Sequence, residues 1–462
     1  MKQLNNLGGS LRTLAAEYNT KIVGFYLGPY ATVVIDDPKL IKKGLYNEDF
    51  DGRLDIIVAR MRSYWKTLGD IINVSTCWNL LKRYPASWGG SSGYVGFLTT
   101  KTASVANLAV KGLSRYDRSY TPFGIPSAPS HSVLCGIPVC FTVITSGLRF
   151  TANSKQVLTK TTMSGIFFTD GYFWHVQRRF TLRYMRDYGF GRREESLEAV
   201  VASETKEMID MARNGPKYPA ENELVKGDLI CLQHFFDVPF MNGMVHIFAR
   251  TTFPRSEYKV LFDLARATLL FQRGTNDFGG ALTITPWLKD VLPGYSGYSN
   301  LKKGNQALLN FFDKIIKHAL ATHDKTYDRH FLDVYIKKWK EEETTVKKTT
   351  FSEHQLQLVC TDYMFPAATG VQSVLTFLLE RILLQPEIQD KIHEEIDRVV
   401  GRDRLPTLDD RRNMPYTEAC IREIMRYEPL VPLGVPHRAM KASKFGGYDI
   451  PEVKYYSYDD NF

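Results

Sequence analysis

Apolar and polar positions change rhythm several times along the chain. Ile22-Val23-Gly24-Phe25-Tyr26-Leu27 and Ala31-Thr32-Val33-Val34-Ile35 are short β-rich runs separated by Gly28-Pro29-Tyr30, which predicts two strands joined by a turn. Asp37-Pro38 then predicts a short helix through Leu45. From Gly165 onward the apolar spacing becomes helical. Ser352 and Gln355 have the form of a capping box, predicting a helix whose nearly uncharged stretch from Leu356 to Leu379 is interrupted at Pro366. Pro386 opens a second helix, with Ile388, Ile392, Ile396 and Val399 on one face and Gly401 as its stop. A third is predicted from Pro415 to Tyr427, with Ile421, Ile424 and Met425 facing inward and Pro429 ending it. The mixed-sign run from Lys337 through Glu343 to Lys348 predicts a solvated linker ahead of the Ser352 cap.

Composition adds bounds to this pattern. With 462 residues, 44% hydrophobic and 24% charged, the chain can bury a large core and is neither disordered nor fibrous. Six cysteines without a C-x-x-C pair exclude a disulfide scaffold and a zinc ribbon. No H-E-x-x-H pair or phosphate loop supports a histidine-held metal or a nucleotide site. The net charge of +9 is concentrated: Ile71 to Ser164 carries nine basic residues against Asp117, and the remainder is nearly balanced. A nucleic-acid-binding face is therefore disfavoured, and no nucleic-acid partner is expected. That segment is also rich in serine and threonine and sustains no helical period. The expected organisation is a β-rich part at 1–69, a basic, poorly ordered insertion at 70–164 and a helical core at 165–462. The apolar run Val133 to Ile144 is too short to span a bilayer, and the N-terminus shows no targeting segment or anchor, so a soluble chain is expected.

Candidate chemistry lies in two blocks. The third helix reads Tyr416-Thr417-Glu418-Ala419-Cys420-Ile421-Arg422-Glu423-Ile424-Met425-Arg426-Tyr427-Glu428-Pro429, followed by Val435-Pro436-His437-Arg438-Ala439 and Gly447-Tyr448-Asp449-Ile450-Pro451. Upstream, Phe167 to Phe180 includes Trp174 and Arg178 at i,i+4, so an indole N–H and a guanidinium leave one helix face. In this order the blocks resemble the E-x-x-R helix, the strands after it and the W-x-x-x-R helix of the cytochrome P-450 family, most closely its insect microsomal members. Leu384-Gln385-Pro386-Glu387, Glu394-Glu395-Ile396-Asp397, Val400-Gly401 and Glu48-Asp49-Phe50-Asp51-Gly52-Arg53 extend the likeness over Leu11 to Gly69 and Gly165 to Pro451. The resemblance implies a mainly α fold with a small β region, incomplete at the C-terminus. It implies haem-thiolate monooxygenase chemistry on a small lipophilic substrate, using haem b, O2 and electrons from NADPH through an NADPH-cytochrome reductase. It also implies residence at the endoplasmic reticulum membrane. Glu423 and Arg426 would be structural, Trp174, Arg178 and Arg438 would contact haem propionates with His437 a further candidate, and Thr369 and Gly370 would lie at the catalytic distal helix.

The chain also departs from that family. Joining Gly69 to Ile166 gives uninterrupted family-like sequence, so 70–164 is expected to be a translated intron or foreign insertion, the alternative being a lineage-specific domain. The haem loop F-x-x-G-x-x-x-C-x-G would follow Pro451, and the given sequence ends at Phe462 without it. Cys140 has Gly136 at the right offset but Val133 and Thr142 where phenylalanine and glycine belong, while Cys360 and Cys420 fall on helices. The expectation is thus a truncated chain without the proximal cysteine, inactive as it stands; the alternative is a non-catalytic helical remnant or incomplete gene model without haem. In Pro366-Ala367-Ala368-Thr369-Gly370-Val371, Thr369 takes the family's acidic position and Gly370 its threonine position, so the usual proton relay is absent. Thr369 or Gln372 would then hold a relay water or simply pack, on a helix loosened by Pro366 and Gly370.

Overall fold

A computed structural model describes residues 7–27, 30–53, 61, 141–144, 164–227, 229–275, 282, 287–346, 348–428, 430 and 437–452. All of them belong to one compact unit. The poorly ordered character expected for the 70–164 insertion falls, apart from 141–144 and Ser164, outside the described residues.

Two short hydrophobic runs pair as foreseen: β1 (Ile22–Leu27) and β2 (Tyr30–Ile35) are antiparallel, with Ile22 opposite Ile35. The sheet continues through β4 (Phe141–Ile144) and β7 (His437–Arg438) to β3 (Gly52–Arg53), in the order β1-β2-β4-β7-β3. Strand β4 lies within the 70–164 stretch and pairs with β2 and with β7. Helix α1 (Leu7–Glu17) precedes β1, and α2 (Pro38–Leu45) starts where the Asp37 carboxylate accepts the Leu40 N–H at 2.9 Å. The hairpin of β8 (Ser443–Phe445) and β9 (Tyr448–Ile450) completes this region. Its small core joins both parts of the sequence: Ile22, Ile35, Ile41 and Phe50 pack with Ala439, Phe445 and Ile450. A further hairpin, β5 (Val225–Lys226) with β6 (Leu229–Ile230), stands apart from that sheet.

The rest is helical: α3 (Gly171–Asp187), α4 (Glu195–Asn214), α5 (Asp237–Ala249), α6 (Tyr258–Thr275), α7 (Tyr298–Ala321), α8 (Phe331–Thr345), α9 (Glu353–Leu384), α10 (Pro386–Val399) and α11 (Pro415–Tyr427). Their common core contains Leu261, Leu308, Phe312, Phe331, Tyr335, Leu356, Val359 and Met364. Gly304 lets α6 and α7 touch, since a Cβ there would stand 2.7 Å from the Phe271 backbone nitrogen.

Four expectations need correction. Helix α9 runs unbroken through Pro366; proline removes one backbone bond on an exposed position, and packing of the rest of the helix outweighs that loss. The charged run at 337–345 belongs to α8 instead of a linker, because Lys338 and Glu342 pair at 3.1 Å one turn apart while Trp339 packs on the core. Met425 is exposed on α11, and only Ile424 of the expected inward trio is buried. Ser352 does cap Gln355 N–H at 3.1 Å, but the Gln355 side chain does not reciprocate; it clamps Gly165, accepting its N–H at 2.7 Å and donating to its carbonyl at 3.1 Å.

Candidate functional site

The sheet order places β3 and β7 at the start of α3, with Gly52 opposite Arg438 and Arg53 opposite His437. Asp170 precedes α3 without capping it. Its carboxylate instead accepts the Arg53 backbone N–H at 2.8 Å and Arg438 Nη2 at 2.8 Å. Arg438 Nε also donates to the Arg53 carbonyl at 3.2 Å, so a guanidinium whose side chain is 10% exposed is tied on two sides. His437 Nδ1 lies 2.8 Å from the Phe50 carbonyl and 3.0 Å from Arg53 Nη1. Burial, with Arg53 beside it, pushes the His437 pKa down to about 4, so the ring is neutral at pH 7. Burial also lowers the pKa of Arg53 and raises that of Asp51, the latter opposed by Arg53, His175 and Arg178.

On α3, the Arg178 guanidinium lies 5.1 Å from the centre of the Trp174 ring, so both side chains leave the same face, as their spacing requires. Among the described residues, the Trp174 indole N–H and the Arg178 guanidinium have no hydrogen-bond partner. Two such donors, one turn apart beside a cationic corner, suit a carboxylate, the group a haem propionate presents. Arg438 and His437, by contrast, are satisfied by Asp170, Arg53 and Phe50 within the fold. Asp170 and Arg53 are the residues that reasoning from motifs overlooked. The only signal was their presence in the quoted blocks, because their partners lie 117 and 268 residues away.

The iron end of such a cofactor is not matched. A thiolate ligand needs a lowered thiol pKa. Cys360 is fully buried and its thiol is pushed up by burial, Cys420 is pushed up likewise, and Cys231 is exposed. Cys77, Cys135 and Cys140 lie outside the described residues. Among the described residues no group of histidine, cysteine and acid side chains could hold a metal ion. The described residues thus fit the rim of a haem and not its iron.

On α9, Thr369 is buried; its Oγ1 donates to the Phe365 carbonyl at 3.0 Å and accepts from Gln272 Nε2 at 3.0 Å. Gln372 is also engaged, donating to the Leu232 carbonyl at 3.3 Å and to Thr376 Oγ1 at 3.2 Å. A Cβ on Gly370 would meet nothing nearer than Leu430 Cδ1 at 3.7 Å. On α11, Glu423 and Arg426 bond to each other at 2.5 and 2.8 Å and, among the described residues, to nothing else. Helix α9 is long and apolar enough to cross a bilayer; its first two thirds, to Gln372, carry its buried residues, and it packs against α5, α6, α7 and α11.

The fold and the corner formed by α3, β3 and β7 agree with the sequence blocks on one class, a mainly helical haem-protein fold with a small β region. A family model described as Cytochrome P450 matches residues 141–453, starting at β4. The chain belongs to the cytochrome P-450 family. Farnesoate epoxidase of Bombyx mori is 27% identical over 288 residues, covering 62% of this chain and 55% of that protein. Cytochrome P450 2B2 of Rattus norvegicus is 28% identical over 298 residues, covering 62% and 56%. Cytochrome P450 2H2 of Gallus gallus is 31% identical over 294 residues, covering 63% and 55%. The chain thus spans a little over half the length of the curated relatives it matches.

Proposed function

We propose that this protein serves haem-dependent oxidation of a small lipophilic compound, with O2 and with electrons from NADPH delivered by an NADPH-cytochrome reductase. The observation that carries the reading is the pair of donors on α3 without a hydrogen-bond partner among the described residues, set beside the Arg53 and Arg438 corner in a chain of this family. When bound, haem b would supply oxygen activation. Trp174 and Arg178 would hold a propionate, and Asp170 would keep Arg438 and β3 in place behind them. Buried small residues Ala367 and Ala368 with Thr369 would form the apolar wall against which the lipophilic compound lies. Glu423 and Arg426 would brace the fold from α11. Membrane association at the endoplasmic reticulum belongs to this reading through its microsomal relatives.

The organisation into 1–69, a basic insertion near 70–164 and a helical core at 165–462 is likewise proposed; β4 and the family match both begin at residue 141, which favours a shorter insertion that ends before it. The raised thiols of Cys360 and Cys420 favour a second reading for Met1–Phe462 as an isolated polypeptide: a helical body without a thiolate-ligated haem. The two readings separate on an absorption spectrum of that polypeptide expressed with haem available. A carbon monoxide difference band typical of a thiolate haem supports a complete centre within these residues. A colourless protein, or a haem bound without that band, supports the second reading. Haem retention that is unaffected in Arg178→Ala and Trp174→Phe would remove the propionate assignment.

A further inference from the structure

Where α4 begins and α5 ends, four polar side chains meet. The Glu194 carboxylate caps α4 by accepting the Leu197 N–H at 2.8 Å, and it also accepts the Ser196 hydroxyl at 2.7 Å and Arg250 Nη1 at 3.1 Å. Arg250 follows the last turn of α5, and its Nη1 bonds to Ser196 Oγ as well. His246 Nε2, one turn back on α5, lies 2.9 Å from Arg250 Nη1 and 2.9 Å from Ser196 Oγ. A guanidinium can only donate, so Nε2 accepts, and the ring is neutral with its proton on Nδ1. Arg250 has φ +51°, a left-handed backbone that a residue with a Cβ keeps only when its surroundings hold it there.

We infer that His246 is a proton-operated latch on this joint: neutral, it helps hold the Arg250 guanidinium between α4 and α5, and a proton taken up from water on Nε2 drives Arg250 out. The new N–H faces another donor, and two cations then compete for the one carboxylate of Glu194. Arg250 and Glu194 are the charged groups that act on His246; among the described residues α6, α8 and α9, which also pack on α5, add none. Burial and Arg250 lower the pKa of the ring, with Glu194 opposing them. Against the upward push of burial, Arg250, Ser196 and the Leu197 N–H hold the Glu194 carboxyl down at about 2, so it stays charged while the ring titrates. Arg250 also lies over the Tyr188 ring, 5.3 Å from its centre, and acts on His330 ahead of α8 together with Asp333 and Arg329. Outward from the joint, Arg193 bonds to Asp409 at 2.5 Å and Glu198 accepts the Leu408 N–H at 3.2 Å. Opening the latch therefore loosens the first turn of α4, the end of α5 and the turn at 408–409. The closed joint is complete at pH 7 and is lost as pH falls through the lowered pKa of His246, below the ordinary 6.5.

Hydrogen exchange of the 462-residue chain at pH 7 and pH 5, corrected for the intrinsic pH dependence of amide exchange, tests the inference. The amides of Leu197, Glu198, Arg250 and Leu408 are all bonded in the closed joint. They are expected to exchange about fivefold faster at pH 5, the weight of one lost hydrogen bond, while α7 and α9 keep their protection. His246→Gln places a carboxamide oxygen that accepts from Arg250 and does not titrate, so it should keep exchange slow at both pH values. His330→Gln should leave the acceleration in place. No acceleration at these four amides, an equal acceleration throughout α7 and α9, its persistence in His246→Gln or its loss in His330→Gln would each overturn the inference. If His246→Gln does not fold, the wild-type profile and that of His330→Gln decide it.

Discussion

In the helical body, Leu261, Leu308, Phe312, Phe331 and Leu356 are fully buried and belong to one apolar cluster drawn from α6, α7, α8 and α9. At the corner of α3, β3 and β7 the same task of joining distant segments falls to charged groups: Asp170 binds a backbone N–H of β3 and the guanidinium of Arg438 on β7. Apolar contacts are non-directional and tolerate small shifts, whereas the corner depends on a few bonds of fixed geometry. The body therefore sets overall stability, and the corner sets the placement of Trp174, Arg178 and Arg53. Removing bulk from the body should have the largest effect: Phe312→Ala is expected to lower the unfolding free energy by about 3–5 kcal/mol in urea titration of the chain. A loss no larger than that of a surface substitution would show that the body is not the dominant source of stability.

Next in size is the corner. Asp170→Ala removes the carboxylate from a guanidinium that is almost fully enclosed and from the Arg53 N–H, and is expected to cost about 2–3 kcal/mol. The comparison sharpens if hydrogen exchange speeds up at residues 52–53 and 437–438 while the amides of α7 and α9 stay protected. Uniform acceleration throughout the molecule would mean that corner and body unfold together.

This contrast also explains what could be read from the amino-acid order. Helices α9, α10 and α11 and strands β1 and β2 were legible because apolar period, caps and stops are local. The likeness carried by Glu423, Arg426, Trp174 and Arg178 was legible because those pairs sit three or four residues apart. The Asp170 bridge, the Gln355 clamp on Gly165 and the Gln272 contact with Thr369 were not, since each joins residues about a hundred or more positions apart and leaves no periodic trace. Pro366 misled for a related reason: proline's effect on a helix depends on tertiary packing that no local window contains. Met425 and the charged end of α8 show the same limit, for which neighbours cover a helix face decides exposure.

Smaller effects should follow from pH. Burial lowers the pKa of His246 and His330, and His437 falls from its ordinary 6.5 to about 4. For His330 burial outweighs the opposing pull of the Asp333 carboxylate, and its Nδ1 also accepts the Asp333 N–H at 3.2 Å. Because the unfolded chain takes up protons first, the stability these rings contribute is complete above about pH 6.5 and is lost as pH falls, for His437 down to about pH 4. The urea midpoint should therefore drop between pH 7 and pH 5, and His437→Gln should drop less over that interval than the wild type. An equal drop in both would show that His437 is accessible to protons in the folded chain.

The smallest expected effect concerns the same chemistry as the Asp170 bridge in a different setting. Glu423 and Arg426 also make two short charge-assisted bonds, but their side chains are 60% and 46% exposed, and water solvates both partners when the pair is broken. Arg438 is far less open to water, with 10% of its side chain exposed and its Nη2 bonded to Asp170 at 2.8 Å. Glu423→Gln should leave the urea midpoint of this chain unchanged, while Asp170→Asn lowers it. If Glu423→Gln proves as costly as Asp170→Asn, the exposed pair on α11 must have partners beyond the described residues, and the division between an apolar body and a charged corner would have to be redrawn to include α11 among the charge-held joints.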